Sequence, residues 1–351
     1  MPKCTMPSDG AESNVTIELK KPSPDWYVGL LDIIHQKSGF HPAVGKMPIL
    51  PVTSADECYA FRSMKANVFI VTVILVLSLT RLALAVEIMD SSALSSFPNP
   101  PADHVIAYGQ NDLQFGELRL PSGQGPFPVM VLIHGGCWLS AYDIAHIRKL
   151  AAAFTKEGIA TWTIEYRRVG DPGGGWPGTF DDVDAGADHL ATLAGQFNLD
   201  LDRVIVAGHS AGGHLAIWLA NRPSQWPAQI QPTAVLALAP AADLAWLHQQ
   251  QVCGNVIDKL MGGSPEQYPQ RYQAASGTQR LPLQVPQYIV IGQHDKSWAP
   301  VGHMYVEQAR QHGNSPQVIN ASESGHFEMI DPDSTTWPLV LQAAKTALEL
   351  D

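Results

Sequence analysis

The run Arg203 to Ala207 (RVIVA), followed at once by Gly208, His209, Ser210, Ala211 and Gly212, constrains the fold of this chain more than any other stretch. A short apolar run rich in β-branched residues reads as a strand buried on both faces of a sheet. Ala211 to Arg222 reads as a helix that stops before Pro223. A strand joined to a helix with no spacer forces the residue between them into a sharp turn. In a Gly-x-Ser-x-Gly turn the hydroxyl projects from the top of the sheet, and the flanking glycines leave room where backbones approach one another. Ser210 is therefore the candidate nucleophile, an ordinary glycine-rich loop being the alternative. The first N–H groups of the following helix point at the same spot, which favours negative charge developing there.

The rest of the chain beyond residue 104 repeats strand and helix. Strands are expected at Pro128–Ile133, Ala160–Tyr166, Ala234–Ala239, Tyr288–Ile291 and Gln317–Asn320, and helices at Asp143–Gly158, Phe180–Phe197, Val301–His312 and Thr336–Leu350. Val105–Tyr108 and Leu113–Leu120 precede the series as an antiparallel lead-in. Such alternation implies a mostly parallel sheet covered by helices on both faces. About 250 residues from His104 onward form one domain large enough for a substantial core.

Two further segments carry chemistry, each where a strand ends. His134, Gly135, Gly136, Cys137 and Trp138 follow the strand Pro128–Ile133. Acyl transfer needs N–H donors where a carbonyl oxygen becomes negative, and glycine lets the backbone come close. Gly135, Gly136 and Ala211 are the candidate donors, and the His134 side chain is expected to brace the loop. Asp295 follows the strand Tyr288–Ile291, and His326 follows Gln317–Asn320. The order Ser210, Asp295, His326 is nucleophile, acid, base, unlike the orders of chymotrypsin or subtilisin. His326 would take the Ser210 proton while Asp295 holds its tautomer. His209 and His214 flank the nucleophile and are read as packing or loop-bracing; His294 and Asp243 are the fallback candidates.

The motifs IHGGCW, GHSAGGHLA, GQHD and SGHFEMIDP together resemble the α/β-hydrolase superfamily, and within it the HGG-type esterases and the kynurenine-formamidase-like branch. Glu165-Tyr166-Arg167-Arg168 and the Gly-Pro loop after it resemble the same branch. The resemblance covers residues 104–351. It implies an α/β-hydrolase fold with an eight-stranded sheet, no cofactor, and Ser210, Asp295 and His326 as the catalytic triad.

Several features stand outside these motifs. Asp171–Gly178 is glycine-rich but lacks the Gly-Lys-Ser/Thr ending of a phosphate loop, so it is read as a wall placing Trp176 near the site. Residues 241–286 form an insertion carrying Trp246, Leu247, Met261, Tyr268 and Tyr272, expected either as a small lid or as peripheral packing. Trp138, Trp176 and Trp246 are the expected pocket residues. Cys137 and Cys253 are expected to be free thiols, with a disulfide stapling the glycine loop to the insertion as the alternative in an oxidising compartment. No metal-binding pattern is present in the sequence.

Val68–Leu79 (VFIVTVILVLSL) is an almost unbroken apolar run after Met64 and Lys65, with Ala83-Leu84-Ala85 at its end. That is the pattern of a secretory signal peptide over residues 64–85. Met64 is expected to be the true start, residues 1–63 to lie outside the mature protein, and 86–103 to be a linker. A retained anchor over residues 66–86 is the alternative, although Arg81 would cost about 2.5 to 3.5 kcal/mol at a bilayer centre. The whole chain has a net charge of −11, with 16% charged and 45% apolar residues, which excludes a chain that is a disordered acidic tail or a low-complexity protein, and a nucleic-acid binder working by bulk electrostatics. The leader, residues 1–85, holds 8 basic and 7 acidic residues, a net of +1, and the remainder holds 14 against 26, a net of −12.

These readings converge on a secreted or periplasmic serine hydrolase that cleaves esters of small to medium acyl or aryl substrates through an acyl-Ser210 intermediate. An arylformamidase or other amidase using the same residues is the rival enzyme. A catalytically silent binding protein of the same fold is the rival of another class. The expected partner is a small-molecule ester or amide, with no nucleic acid, and a membrane only if the anchor is retained.

Overall fold

The computed structural model describes residues 88–224 and 228–350; the signal peptide expected at 64–85 and the stretch 1–63 lie outside them. The described chain opens with a 3-10 turn at Ser91–Ser96, then the strands β1 (His104–Ala107) and β2 (Phe115–Arg119). There follow β3 (Phe127–Ile133), a 3-10 turn (Ile144–Ile147) running into α1 (Arg148–Lys156), and β4 (Ala160–Ile164). The next elements are α2 (Gly178–Asp188), α3 (Leu190–Phe197), β5 (Leu199–His209), α4 (Ala211–Ala220) and β6 (Ala234–Leu238). The insertion carries α5 (Leu244–Gln250), α6 (Val256–Met261) and α7 (Pro269–Ala275). The chain closes with β7 (Gln287–Gly292), α8 (Ala299–Gln311), β8 (Gln317–Ala321) and α9 (Trp337–Ala347).

The eight strands form one sheet in the order β1-β2-β4-β3-β5-β6-β7-β8. β1 and β2 are antiparallel to their neighbours, and every pairing from β4 to β8 is parallel. Every residue of β4, β6 and β7 is buried, as a sheet covered on both faces requires. This is the α/β-hydrolase fold that the alternation and the motifs imply. The expected helix over 180–197 is two helices, because the chain passes through His189 between α2 and α3. Asp143 caps a 3-10 turn through its side chain, which accepts from the Ala145 N–H, and the α-helix starts only at Arg148.

Strand register positions the functional segments. Ile133 at the end of β3 pairs with Gly208 near the end of β5, so the loop after β3 and the turn after β5 lie side by side. Gly292 at the end of β7 pairs with Ala321 at the end of β8, which sets the two following loops against each other. In a parallel sheet such loops share one rim, outside the carboxyl ends of the strands.

Candidate active site

Ser210 sits between β5 and α4 with φ 57° and ψ −117°, a left-handed conformation that a residue bearing a Cβ adopts only under constraint. The constraint is visible. Its N–H donates to the Leu238 carbonyl at 2.8 Å, and its carbonyl accepts from the N–H groups of His214 and Ala241, both at 3.1 Å. A Cβ on Gly208 would meet the Gly212 oxygen at 2.2 Å, and one on Gly212 would meet the Ile133 oxygen at 2.1 Å. Both glycines of the motif are therefore needed for backbone packing.

Asp295 and His326 are brought together at the same rim. The His326 ring donates through Nδ1 to Asp295 Oδ2 at 2.6 Å, and Asp295 Oδ1 accepts from the Trp298 N–H at 3.0 Å. The carboxylate is buried, and Trp298 stacks on the imidazole with ring centroids 5.2 Å apart and planes 19° from parallel. Ser210 and His326 line one cavity of about 250 Å³. A serine, an imidazole and a carboxylate so arranged can deprotonate a hydroxyl for attack on a carbonyl and return the proton to a leaving group. The fallback candidates are engaged elsewhere: Asp243 caps α5, accepting from the Trp246 N–H at 2.9 Å and from Thr278 at 3.0 Å, and His294 is exposed.

Of the three donors expected from sequence, Gly136 lines the cavity beside Ser210, Ala211 is buried at the start of α4, and Gly135 packs on the His209 backbone, where a Cβ would meet the carbonyl at 2.7 Å. The loop is held from beneath. His134 bonds Glu165 Oε1 through Nε2 at 3.0 Å and stacks on Tyr166, whose hydroxyl donates to the His134 carbonyl at 2.9 Å. Glu165 also accepts from the N–H groups of Ile144 and Tyr166, both at 2.9 Å, and pairs with Arg168 at 2.9 Å. Burial works against its charge, but His134, Arg168 and the N–H donors prevail and hold this carboxyl below the usual range. The bracing role read for His134 thus has its partners, in residues of the Glu-Tyr-Arg-Arg stretch.

The two cysteines form a disulfide, Cys137–Cys253, with Cα atoms 6.2 Å apart, and both line the cavity. This corrects the expectation of two free thiols. Pairing depends on the approach of residues 116 positions apart, which local sequence does not encode. The expected pocket tryptophans lie elsewhere: Trp138 is buried edge-on to His214, Trp176 packs on Phe180, and Trp246 lies against the core. Aromatic walls come instead from Tyr142, Trp298 and Phe327. Sequence reasoning also missed Ser91 and Leu94, which line the cavity from the stretch read as a linker. That stretch is tied down by the Met89 N–H, which donates to Glu328 Oε1 at 2.5 Å. Within the insertion, Val252 and Cys253 reach the cavity, while Leu247, Met261 and Tyr272 are buried in the core. No group of three or more metal-ligating side chains occurs among the described residues.

Comparison with known proteins places the chain. Esterase LipC of Mycobacterium tuberculosis is 24% identical over 64% of this chain and 57% of its own length. Kynurenine formamidase avaC of Aspergillus versicolor is 34% identical over 33% of this chain and 44% of its own length. The chain thus spans about half the length of these curated relatives. A propionate-bound esterase from Thermogutta terrifontis superposes with a TM-score of 0.59 at 20% identity, covering 73% of this chain and 96% of that one, which supports the fold. The BD-FAE family model matches residues 117–301, more than half of the sequence, and the chain accordingly belongs to the BD-FAE family of α/β-hydrolase-fold esterases.

Proposed function

We propose that this protein is a carboxylesterase that works through an acyl-Ser210 intermediate, on esters of small to medium acyl or aryl groups. The observation that carries this reading is the strained Ser210 on the same cavity as an imidazole bonded to a buried carboxylate at 2.6 Å. His326 takes the hydroxyl proton through Nε2 as Ser210 attacks the carbonyl carbon, and Asp295 stabilises the imidazolium. The tetrahedral oxyanion lies among the N–H groups of Gly135, Gly136 and Ala211, where loss of one donor costs ~10² to 10³ in rate. Collapse expels the alkoxide, which takes the proton from His326, and water repeats the cycle to release the acid. A cavity of about 250 Å³ walled by Leu94, Val252, Tyr142 and Phe327 suits an acyl or aryl group of modest size.

Secretion fits this reading, because a disulfide at the site persists in an oxidising compartment. No helix among the described residues is long and apolar enough to cross a membrane. The similarity to a kynurenine formamidase keeps a formamide substrate as the second reading. Hydrolysis of p-nitrophenyl acetate and butyrate beside N-formylkynurenine separates the two, and preference for the formamide overturns the ester assignment. A fluorophosphonate probe is expected to label the wild type and not Ser210→Ala; absence of labelling in the wild type points to a silent binding protein.

A further inference from the structure

The His326 ring is fixed by Asp295 and Trp298, but its main chain needs a support of its own, and that support comes from a side chain the mechanism does not use. His209, fully buried beside the nucleophile, directs Nε2 at the His326 carbonyl oxygen at 2.8 Å. A carbonyl only accepts, so this nitrogen carries the proton. In a neutral ring Nδ1 is then a bare acceptor. It lies 3.1 Å from His146 Nε2, which must be the donor. The tautomers of both rings follow from one carbonyl.

Cationic forms of these rings are disfavoured where they stand. Burial pushes both below the usual histidine range, His146 to about 3 and His209 well below its ordinary value; the imidazoles of His134 and then His326 add to the effect at His146, and those of His326 and His146 at His209. His146 Nδ1 is buried with no hydrogen-bond partner among the described residues, so nothing there stabilises a charge. The far end of the chain is also secured. His146 belongs to the 3-10 turn capped by Asp143, and Ile144 of that turn donates to Glu165, which braces the glycine loop through His134.

We propose that His146 and His209 form a hydrogen-bonded strut that positions His326 for proton transfer and ties its loop to the nucleophile turn and the glycine loop. The inference rests on His326 being the base of the proposed reaction. Both rings also border the cavity that holds Ser210 and His326; the role proposed for them is positioning, exerted through the His326 carbonyl and not on the transferred proton.

Two experiments test it. The first is long-range nitrogen–proton NMR of the wild type at pH 7. His209 and His146 are expected as neutral rings protonated on Nε2; a cation, or a proton on His209 Nδ1, overturns the strut. The second compares His209→Phe, which keeps a ring but has no donor, with His209→Gln, whose amide N–H reaches toward the same carbonyl. A displacement of the base by about an ångström costs about 10²-fold in kcat. His209→Phe is therefore expected to lose kcat on that scale with KM within about twofold, and to lose the low-field resonance of the His326 Nδ1 proton. His209→Gln is expected to recover at least tenfold of the lost kcat. Equal impairment of the two variants, or full kcat in His209→Phe, refutes positioning, and the wild-type NMR decides the matter if His209→Phe does not fold. A wild type that neither hydrolyses esters nor reacts with a fluorophosphonate defeats the functional reading instead, and is told apart by its tautomers being as expected.

Discussion

Opening the Cys137–Cys253 bond tests whether the glycine loop depends on the insertion for its place. The bond joins positions 116 residues apart and closes a loop through β4, β5 and β6. Removing such a cross-link frees the unfolded chain, and for a loop of this length the entropic ceiling is about 5 kcal/mol at 25 °C, with measured effects usually about 2 to 4 kcal/mol. At about 2 to 4 °C per kcal/mol for a domain near this size, the melting temperature should fall by about 5 to 15 °C. Catalysis should suffer separately. Cys137 follows Gly136 with φ 51°, and both residues line the cavity beside Ser210. Release of the loop is expected to lower kcat toward the ~10² expected for loss of one oxyanion donor. The perturbation is the double substitution Cys137→Ser with Cys253→Ser, alongside wild type reduced with a phosphine. Calorimetry gives the stability change, p-nitrophenyl butyrate turnover gives kcat, and mass analysis after alkylation confirms the two thiols. A melting temperature within 2 °C of the oxidised protein, with both thiols shown free, would refute the argument that this bond restrains the chain.

Two further outcomes follow from the same structure. His214 is fully buried, its Nε2 pairs with the Ala275 carbonyl at 2.8 Å, and burial lowers it to about 4, with His146 at about 3. Since the folded state binds fewer protons than the unfolded one below the ordinary histidine value of 6.5, stability is present above that pH and is lost as pH falls toward 4, by about 2 kcal/mol per histidine at pH 5. Urea midpoints at pH 7 and 5 measure this, and His214→Gln should shrink the pH dependence; identical slopes for variant and wild type would count against the assignment. Gly292→Ala is expected to reduce kcat by tenfold or more, because the new Cβ would stand 2.1 Å from the Gly325 oxygen and push apart the loops that carry Asp295 and His326. A Gly292→Ala enzyme with wild-type kcat would show that these loops tolerate separation.

Much of the site was legible in the sequence because its chemistry is tied to local backbone. Ser210 needs a strand before it, a helix after it and glycine on both sides, and all of those lie within a few positions of it. Asp295 and His326 each follow a strand at short range, so recognising the strands placed both residues on one rim. The break at His189 was not legible, since the apolar pattern runs on through it.

The walls of the cavity were decided by tertiary structure alone. Trp138 ends the glycine-loop motif, and Trp176 and Trp246 stand in the glycine-rich loop and the insertion, yet they pack against His214, Phe180 and the core. The lining comes from Ser91 and Leu94, Tyr142, Val252 and Cys253, and Trp298 and Phe327, drawn from segments far apart in the chain. The disulfide and the His146–His209–His326 chain have the same origin. What the sequence by itself determined is the parallel sheet, the placing of Ser210, Asp295 and His326 each just after a strand, and the need for glycine where backbones touch, because periodicity and turn sterics act over a few residues. What only the tertiary structure decided is which side chains meet across the rim, because a buried side chain goes wherever close packing of distant elements leaves it room.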